Sequence, residues 1–93
     1  MSTLLSIAYS EAALASLRVI EPKKVRQQIV KKIAALAGDP KPPGCVKVQG
    51  MTDGAEEVYR IRSGDYRALY VVRGDSEIIV LDIGHRKDVY RNR

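Results

Sequence analysis

The sequence predicts an α+β fold in which an antiparallel sheet carries two helices packed on one of its faces. Two observations indicate this class. The first half of the chain has two stretches with apolar residues at helical spacing, and the second half has three strand-like stretches separated by short glycine-containing turns. A short apolar segment precedes both helices. The expected order is therefore β-α-α-β-β-β, in a single domain that spans residues 1–93.

The first half of the chain contains recognisable helix start and stop residues. A first strand is expected over residues 3–9, and Ser10 can cap a helix that runs to about residue 20. Pro22 suits the first turn of a second helix, which is expected to end at residue 37, before Gly38. Four residues of this second helix are spaced as one apolar stripe: Val25, Ile29, Ile33 and Leu36.

The second half of the chain is expected to form an antiparallel meander. Its three strands are predicted at residues 57–62, 65–73 and 77–83, with tight turns at residues 63–64 and 74–75. Two further segments, residues 39–44 and 50–56, are predicted to be loops, and Val46 with Val48 indicates only a short edge piece. Because both helices need a partner for their apolar stripes, they should cover one sheet face and leave the other free.

The composition is that of a soluble and basic protein. Hydrophobic residues make up 45% of the chain, charged residues 29%, and the net charge is +5. The charge is uneven: residues 1–50 hold eight Lys or Arg and three Asp or Glu (8 − 3 = +5), whereas residues 51–93 hold eight of each sign. Such a protein attracts nucleic acid, anionic membrane surface or an acidic protein. The lysines of the second helix are interpreted as a solvated helix face.

Cysteine usage and hydropathy indicate a cytoplasmic protein. Cys45 is the single cysteine, so neither an internal disulfide nor a cysteine-based metal site is expected. No apolar run approaches the roughly 20 residues that span a bilayer, and the first nine residues lack the basic region of a signal peptide. We therefore expect neither membrane association nor a bound metal.

Three arginines lie inside predicted strands, in the stretch VYRIRSGDYRALYVV. Strand side chains alternate between faces, so burial of the tyrosines and of Ile61 on the helix-covered face sends the arginines to the other face. Guanidinium groups are planar, always charged and suited to bind phosphate through two donors. The pattern predicts a polyanion site formed by Arg60, Arg62 and Arg67.

The last predicted strand leads into the sequence IGHRKDVYR, which can reach the same face. A tyrosine beside cations can stack on the bases of single-stranded RNA, and Tyr90 is therefore a candidate, although its ring could instead pack against the sheet edge. His85 is the only histidine, and it can act either in proton transfer or as a structural partner at the strand end.

The two motifs VYRIRSGDYRALYVV and IGHRKDVYR, together with this order of elements, resemble the RelE branch of the RelE/ParE toxin superfamily. The resemblance covers nearly the whole chain. It implies a type II toxin–antitoxin toxin that cleaves mRNA in the ribosomal A site, without metal or other cofactor. The RNA 2′-hydroxyl would attack the adjacent phosphate and leave a 2′,3′-cyclic or 3′-phosphate and a 5′-hydroxyl.

The resemblance also implies the roles of individual residues. Catalytic positions would be Arg60 and Arg62, where many members have lysines, with Arg67, Arg86 and Tyr90. Arg67 and Arg86 suit the charged phosphorane, and Tyr90 suits base stacking. Two further residues of the tail, Lys87 and Arg91, would bind RNA. Arginine stays protonated, so the proton carriers remain open, with His85 as one candidate.

The resemblance implies a RelB-like antitoxin as partner, and contact with operator DNA only through that antitoxin. Many relatives continue into a further C-terminal helix, whereas this sequence ends at Arg93. Inhibition is therefore expected to act through charge neutralisation or wrapping. Two alternative functions stay open: a ParE-like toxin that binds DNA gyrase without nuclease activity, and a catalytically silent member that only docks RNA.

Overall fold

The computed structural model describes residues 4–74 and 76–85. These residues form two helices and five strands in the order β-α-α-β-β-β-β. The elements are β1 (Ser6–Tyr9), α1 (Glu11–Arg18), α2 (Lys23–Ala34), a 3₁₀ turn (Ala35–Ala37), β2 (Val46–Asp53), β3 (Glu56–Ser63), β4 (Tyr66–Arg73) and β5 (Glu77–His85). Within the described residues, no helix is both long enough and apolar enough to cross a membrane.

The five strands form one sheet in the order β1-β5-β4-β3-β2. The pairs β2–β3, β3–β4 and β4–β5 are antiparallel, as the predicted meander requires. The first strand lies parallel to β5, and the chain between them includes both helices and the other three strands. The predicted α+β class is therefore confirmed, with a mixed sheet in place of a purely antiparallel one.

The sequence prediction was wrong for β2, which has eight residues rather than a short edge piece. The predicted loop 50–56 contains only a two-residue turn at Gly54–Ala55, while residues 50–53 continue the strand. The register of β2 against β3 shifts between Lys47 and Thr52, and Gly50 in this interval has φ of 73°. Such an irregularity breaks the period-2 pattern from which strands are recognised.

Other element boundaries differ from the prediction by a few residues. The first strand begins at Ser6, the turn after β3 lies at residues 64–65, and β5 extends to His85. The second helix changes from α to 3₁₀ geometry for its last three residues and ends at Gly38 as expected. The predicted turn at 74–75 includes Asp75, which lies outside the described residues.

The main core lies between the helices and one sheet face. Ile29, Ile33 and Leu36 are buried, which confirms the predicted stripe, and they pack with Ile61 and Tyr70 of the sheet. Burial of this apolar surface is the main force that holds the two layers together.

The opposite face of the sheet was predicted to be free, and this was wrong. Val58, Leu69 and Val71 form a second buried cluster there. Four partly buried residues from the neighbouring strands pack against it: Val48, Met51, Ile79 and Leu81. Val48 belongs to the predicted edge piece, whereas Met51 comes from the part of β2 that was predicted to be a loop.

Ser10 joins β1, α1 and β5 at one point. Its side chain caps α1 by accepting a hydrogen bond of 3.0 Å from the backbone N–H of Ala13. The same hydroxyl donates a hydrogen bond of 2.7 Å to the carbonyl oxygen of Leu81. The backbone N–H of Ser10 donates one of 2.9 Å to the carbonyl oxygen of Val80. Leu81 is the unpaired residue of a β-bulge, since Leu69 pairs with Asp82 and the next residue of β4 pairs with Val80.

We expect Ser10→Ala to destabilise the protein by about 1–3 kcal/mol, because one substitution removes a helix cap and a hydrogen bond to the bulge. Urea unfolding followed by circular dichroism measures the change. Ser16→Ala, within α1, is the matched control and should be neutral or slightly stabilising, since alanine favours helix interiors. Equal stability of the two variants would contradict this role for Ser10.

Tyr70 is a polar residue at the centre of the main core. Its side chain is fully buried, and its hydroxyl donates a hydrogen bond of 2.6 Å to the carbonyl oxygen of Pro40. This contact ties the proline-rich loop to the sheet. Burial is the main cause that raises the pKa of the Tyr70 hydroxyl well above its ordinary value.

Stability should therefore fall as pH rises above about 10, because the unfolded chain ionises Tyr70 there while the folded chain keeps it neutral. The slope contributed by Tyr70 approaches about 1.4 kcal/mol per pH unit. Urea unfolding between pH 8 and pH 11 measures it. Tyr70→Phe should flatten the slope and cost about 1–3 kcal/mol at pH 8, since the Pro40 carbonyl loses its donor. Burial also raises the pKa of Tyr9, whose contribution remains in both proteins. An unchanged slope in the variant would contradict the assignment.

Candidate functional site: an arginine face on the sheet

Three arginines of the central strands share the sheet face opposite the helices, and we call them the arginine face: Arg60, Arg62 and Arg67. On β3, Arg60 and Arg62 alternate with Ile61, which is buried in the main core. On β4, Arg67 alternates with Ala68, which is also in the main core. The predicted grouping is therefore the one that the strand register produces.

Arg62 and Arg67 are directly opposite each other in the β3–β4 pair. Cβ atoms of such partners are about 4.5–5.5 Å apart, so the two like charges disfavour the pair unless an anion lies between them. On its other side Arg67 faces Gly84 of β5, which has no side chain to fill the space. The register thus leaves room for a ligand beside the two guanidinium groups.

The Arg67 side chain carries an unmet hydrogen-bond donor. Its Nε is buried and has no acceptor among the described residues. A buried donor without a partner costs about 1–3 kcal/mol, more when the group is charged. A phosphate bound at the guanidinium would neutralise its charge and so offset part of this cost.

Arg73, at the other end of the same face, forms ion pairs. Arg73 Nη2 lies 3.3 Å from Glu56 Oε1 and 3.6 Å from Asp53 Oδ2, which makes an ion-pair network. Neither Arg62 nor Arg67 has an ion pair with any described residue. The positive charge that is available to a ligand is therefore concentrated near the turn between β3 and β4.

Asp82 adds a carboxylate to the arginine face, and the sequence analysis missed it. Ile78 and Val80 are buried in the main core, so unbroken alternation would bury residue 82 there as well. The bulge at Leu81 instead places Asp82 opposite Leu69, on the face that holds Arg67. Asp82 is half-buried, and its Oδ1 accepts the backbone N–H of Ile83 at 2.9 Å. No local sequence signal marks the bulge.

His85 lies on the other face of the sheet from the arginines. It is the strand partner of Tyr66, and the two rings meet edge to face with centroids 5.8 Å apart. Tyr66 packs against the main core and alternates with Arg67 along β4. Of its two predicted roles, this geometry fits the structural partner at the strand end.

The tail residues predicted for the site lie outside the described residues: Arg86, Lys87, Tyr90 and Arg91. Their roles stay predictions. Within residues 4–74 and 76–85, no three His, Cys, Asp or Glu side chains are grouped so that they could hold a metal ion.

A small domain with two helices on one sheet face and arginines on the other is the architecture predicted for RelE/ParE toxins. The family model described as "ParE toxin of type II toxin-antitoxin system, parDE" matches residues 7–90. The chain belongs to this family of type II toxin–antitoxin toxins. The resemblance to the RelE/ParE superfamily is confirmed.

Known relatives carry RelE names. A segment of 40 residues is 45% identical to a protein of Methanocaldococcus jannaschii named "Putative toxin RelE1", and spans 42% of this chain and 44% of that relative. The fold is similar to the archaeal RelE–RelB complex from Pyrococcus horikoshii OT3 (TM-score 0.75, 24% identity, 92% of this chain and 99% of that chain).

Two further crystal structures share the fold. The toxin–antitoxin complex RelBE2 from Mycobacterium tuberculosis matches with a TM-score of 0.74 and 19% identity, over 95% of this chain and 98% of that chain. The RelB–RelE complex from Methanococcus jannaschii matches with a TM-score of 0.69 and 24% identity, over 92% and 98%. At these identities the likeness establishes the fold alone.

Relief of the repulsion between Arg62 and Arg67 should stabilise the protein. We expect Arg62→Gln to raise the free energy of unfolding by about 0.2–1 kcal/mol at low ionic strength, with the gain shrinking as salt screens the charges. Urea unfolding at low and high sodium chloride measures it. Arg73→Gln, which breaks ion pairs with Asp53 and Glu56, is the control and should give a small loss. A salt-independent loss in both variants would count against a repulsive pair.

Proposed function

We propose that this toxin is an endoribonuclease that cleaves mRNA in the ribosomal A site and so inhibits translation. The observation that carries the proposal is the pair Arg62–Arg67, adjacent across two strands, with a buried Arg67 Nε that has no acceptor among the described residues. Two adjacent cations and an unmet donor fit the charge and geometry of a phosphodiester. The motif in the tail, with Arg86 and Tyr90, supports the same reading.

The reaction that this face would catalyse needs no covalent enzyme intermediate. The RNA 2′-oxygen attacks the adjacent phosphorus, and the bond from phosphorus to the 5′-oxygen breaks. The products are a 2′,3′-cyclic phosphate, open to hydrolysis to a 3′-phosphate, and a 5′-hydroxyl. Negative charge grows on the non-bridging oxygens in the transition state, where Arg67 and Arg86 would stabilise it. Arg60 and Arg62 would hold the RNA strand in line for attack.

The same reaction moves two protons, one from the attacking 2′-hydroxyl and one to the leaving 5′-oxygen. Arginine has no accessible neutral form and is a poor proton acceptor. Asp82 is on the arginine face and can accept a proton as a carboxylate, whereas His85 packs against Tyr66 on the opposite face. We therefore favour Asp82 as the acceptor for the 2′-hydroxyl proton.

A cognate antitoxin would neutralise this protein, in keeping with the toxin–antitoxin complexes whose toxin chains share the fold. A groove of about 620 Å³ lies between α1 and α2, with an apolar floor that includes Leu14, Leu17 and Val30. Arg18 and Arg26 stand at its rim. An amphipathic antitoxin segment with acidic residues fits this groove. Contact with operator DNA would be made by the antitoxin, and the complex would act in the cytoplasm.

Cleavage should depend on ribosomes and on Arg67. We expect primer extension on a defined mRNA to show a cut in the A-site codon with programmed ribosomes and none with free RNA. Arg67→Ala should lower the rate by about 10²- to 10³-fold, the usual loss for one transition-state donor. Arg73→Ala, on the same strand and face but held by carboxylates, is the matched control and should cleave like the wild type.

The other outcomes are equally informative. Cleavage of free RNA would support nuclease activity and show that the ribosome is not required. Equal rates for Arg67→Ala and Arg73→Ala would show that the arginine face is not the active site. Arg86→Ala tests the tail in the same assay.

A second candidate function is inhibition of DNA gyrase without nuclease activity. The description of the matching family model favours it, because that description names ParE toxins. Such a toxin needs no converging phosphate site, and the Arg62–Arg67 pair would then have no catalytic role. A supercoiling assay with purified gyrase separates the two: inhibition by the wild type, with mRNA intact on ribosomes, would replace the nuclease proposal.

A further inference from the structure

A cationic groove runs along the outer edge of β3 and includes Arg62 of the arginine face. It consists of two adjoining pockets of about 380 Å³ and 440 Å³, which share Lys32, Ala35 and Arg62 in their lining. Pro42–Gly44 closes one end, and Ser63 with Gly64 lies at the other. We call this feature the edge groove.

The edge groove exists because β2 is too short to cover the end of β3. The first residue of β2, Val46, pairs with Arg60, so Ile61, Arg62 and Ser63 have no described strand partner on that side. The other side of the same residues pairs with β4. The last turn of α2 flanks the exposed strand end, and Lys31 with Lys32 lies in that turn.

Some cations elsewhere in the described part of the chain have partners that offset their charge, whereas those of the edge groove have no ion pair there. Lys47 forms an ion pair of 3.0 Å with Glu57, and Lys41 lies 4.9 Å from the centre of the Tyr59 ring. Lys31, Lys32 and Arg62 form no ion pair with any described residue. No carboxylate is among the residues that line the two pockets. The charged side chains that line the edge groove are therefore all cationic.

We propose that the edge groove binds the sugar–phosphate backbone of an RNA strand, as an extension of the arginine face. Arg62 belongs to both surfaces, since it lines the two pockets and is the strand partner of Arg67. A strand whose scissile phosphate lies at Arg67 would pass Arg62 and continue between the end of β3 and Lys31 and Lys32. This inference rests on the proposed nuclease function and names the path of its substrate.

The lining favours RNA over an acidic protein segment. A helical peptide needs an apolar floor for its anchor residues, as the groove between α1 and α2 provides. The second pocket of the edge groove is instead lined mainly by polar and charged residues, Gln28, Lys31, Lys32, Arg62 and Ser63. Gly64 leaves open space where a side chain would stand, so a backbone can approach the turn closely. These are features of a surface that contacts phosphates without reading bases.

The experiment measures how the affinity for RNA depends on salt. A 2′-O-methyl oligoribonucleotide of about twelve nucleotides binds without being cleaved, because its 2′-oxygens cannot attack. Removal of two phosphate contacts should lower the slope of log affinity against log salt by about 1.4, at about 0.7 per contact for single strands. The test variant is Lys31→Gln/Lys32→Gln. The control is Lys23→Gln/Lys24→Gln, which removes the same charge from the first turn of α2.

We expect the slope to fall in the test variant and to stay near the wild-type value in the control. Lys31 and Lys32 also favour the helix dipole at this end of α2, so a thermal melt must show both variants folded at the assay temperature. A loss of slope that is equal in the two variants would show a diffuse charge effect and overturn the proposal, as would absence of binding by the wild type.

Two further measurements distinguish RNA binding at the edge groove from protein binding there and from the nuclease proposal. If the test variant binds RNA normally but loses affinity for polyglutamate, the edge groove serves an acidic protein and the proposal fails. Cleavage on programmed ribosomes is measured alongside. If the wild type does not cleave mRNA but the salt slope falls only in the test variant, the nuclease proposal is rejected and the RNA groove is retained. If the wild type cleaves mRNA and the slope of the test variant is unchanged, the nuclease proposal is retained and the RNA groove is rejected.

Discussion

The hydroxyl of Ser10 is the contact on which much of the remaining structure depends. It caps α1 and donates to Leu81, so it fixes the start of the helical layer against the bulge of β5. That bulge decides which residues of β5 reach the arginine face, and it sends Asp82 there and Ile83 into the core. Ser10 thus contacts the bulge residue that directly precedes Asp82 in the chain.

Without a ligand, the side chains of the candidate site destabilise the folded protein. Arg62 and Arg67 are like charges in direct opposition, and the buried Arg67 Nε has no acceptor in the part of the chain that the structure describes. The second cluster lies on the same face beside them, and its Leu69 and Val71 follow Arg67 along β4. A site that is strained in this way gains more from binding an anion than a neutralised surface would, because the ligand removes a cost already present.

Family membership gives the class of protein, whereas the geometry of the arginine face bears on its activity. The family model places the chain among toxins of type II systems, and the fold is that of solved RelE chains. One fold supports more than one activity, so the choice between nuclease and gyrase inhibitor depends on the arginine face itself.

The sequence by itself determined the helical stripe, the cap at Ser10 and the shared face of Arg60, Arg62 and Arg67. These follow from local periods of 3.6 and 2, which neighbouring residues establish without reference to the rest of the chain. Tertiary structure alone decided the length of β2, the second cluster and the faces of Asp82 and His85. Each of these depends on a bulge or a register between distant strands. One inserted residue reverses the face of every residue after it, and no local pattern records it.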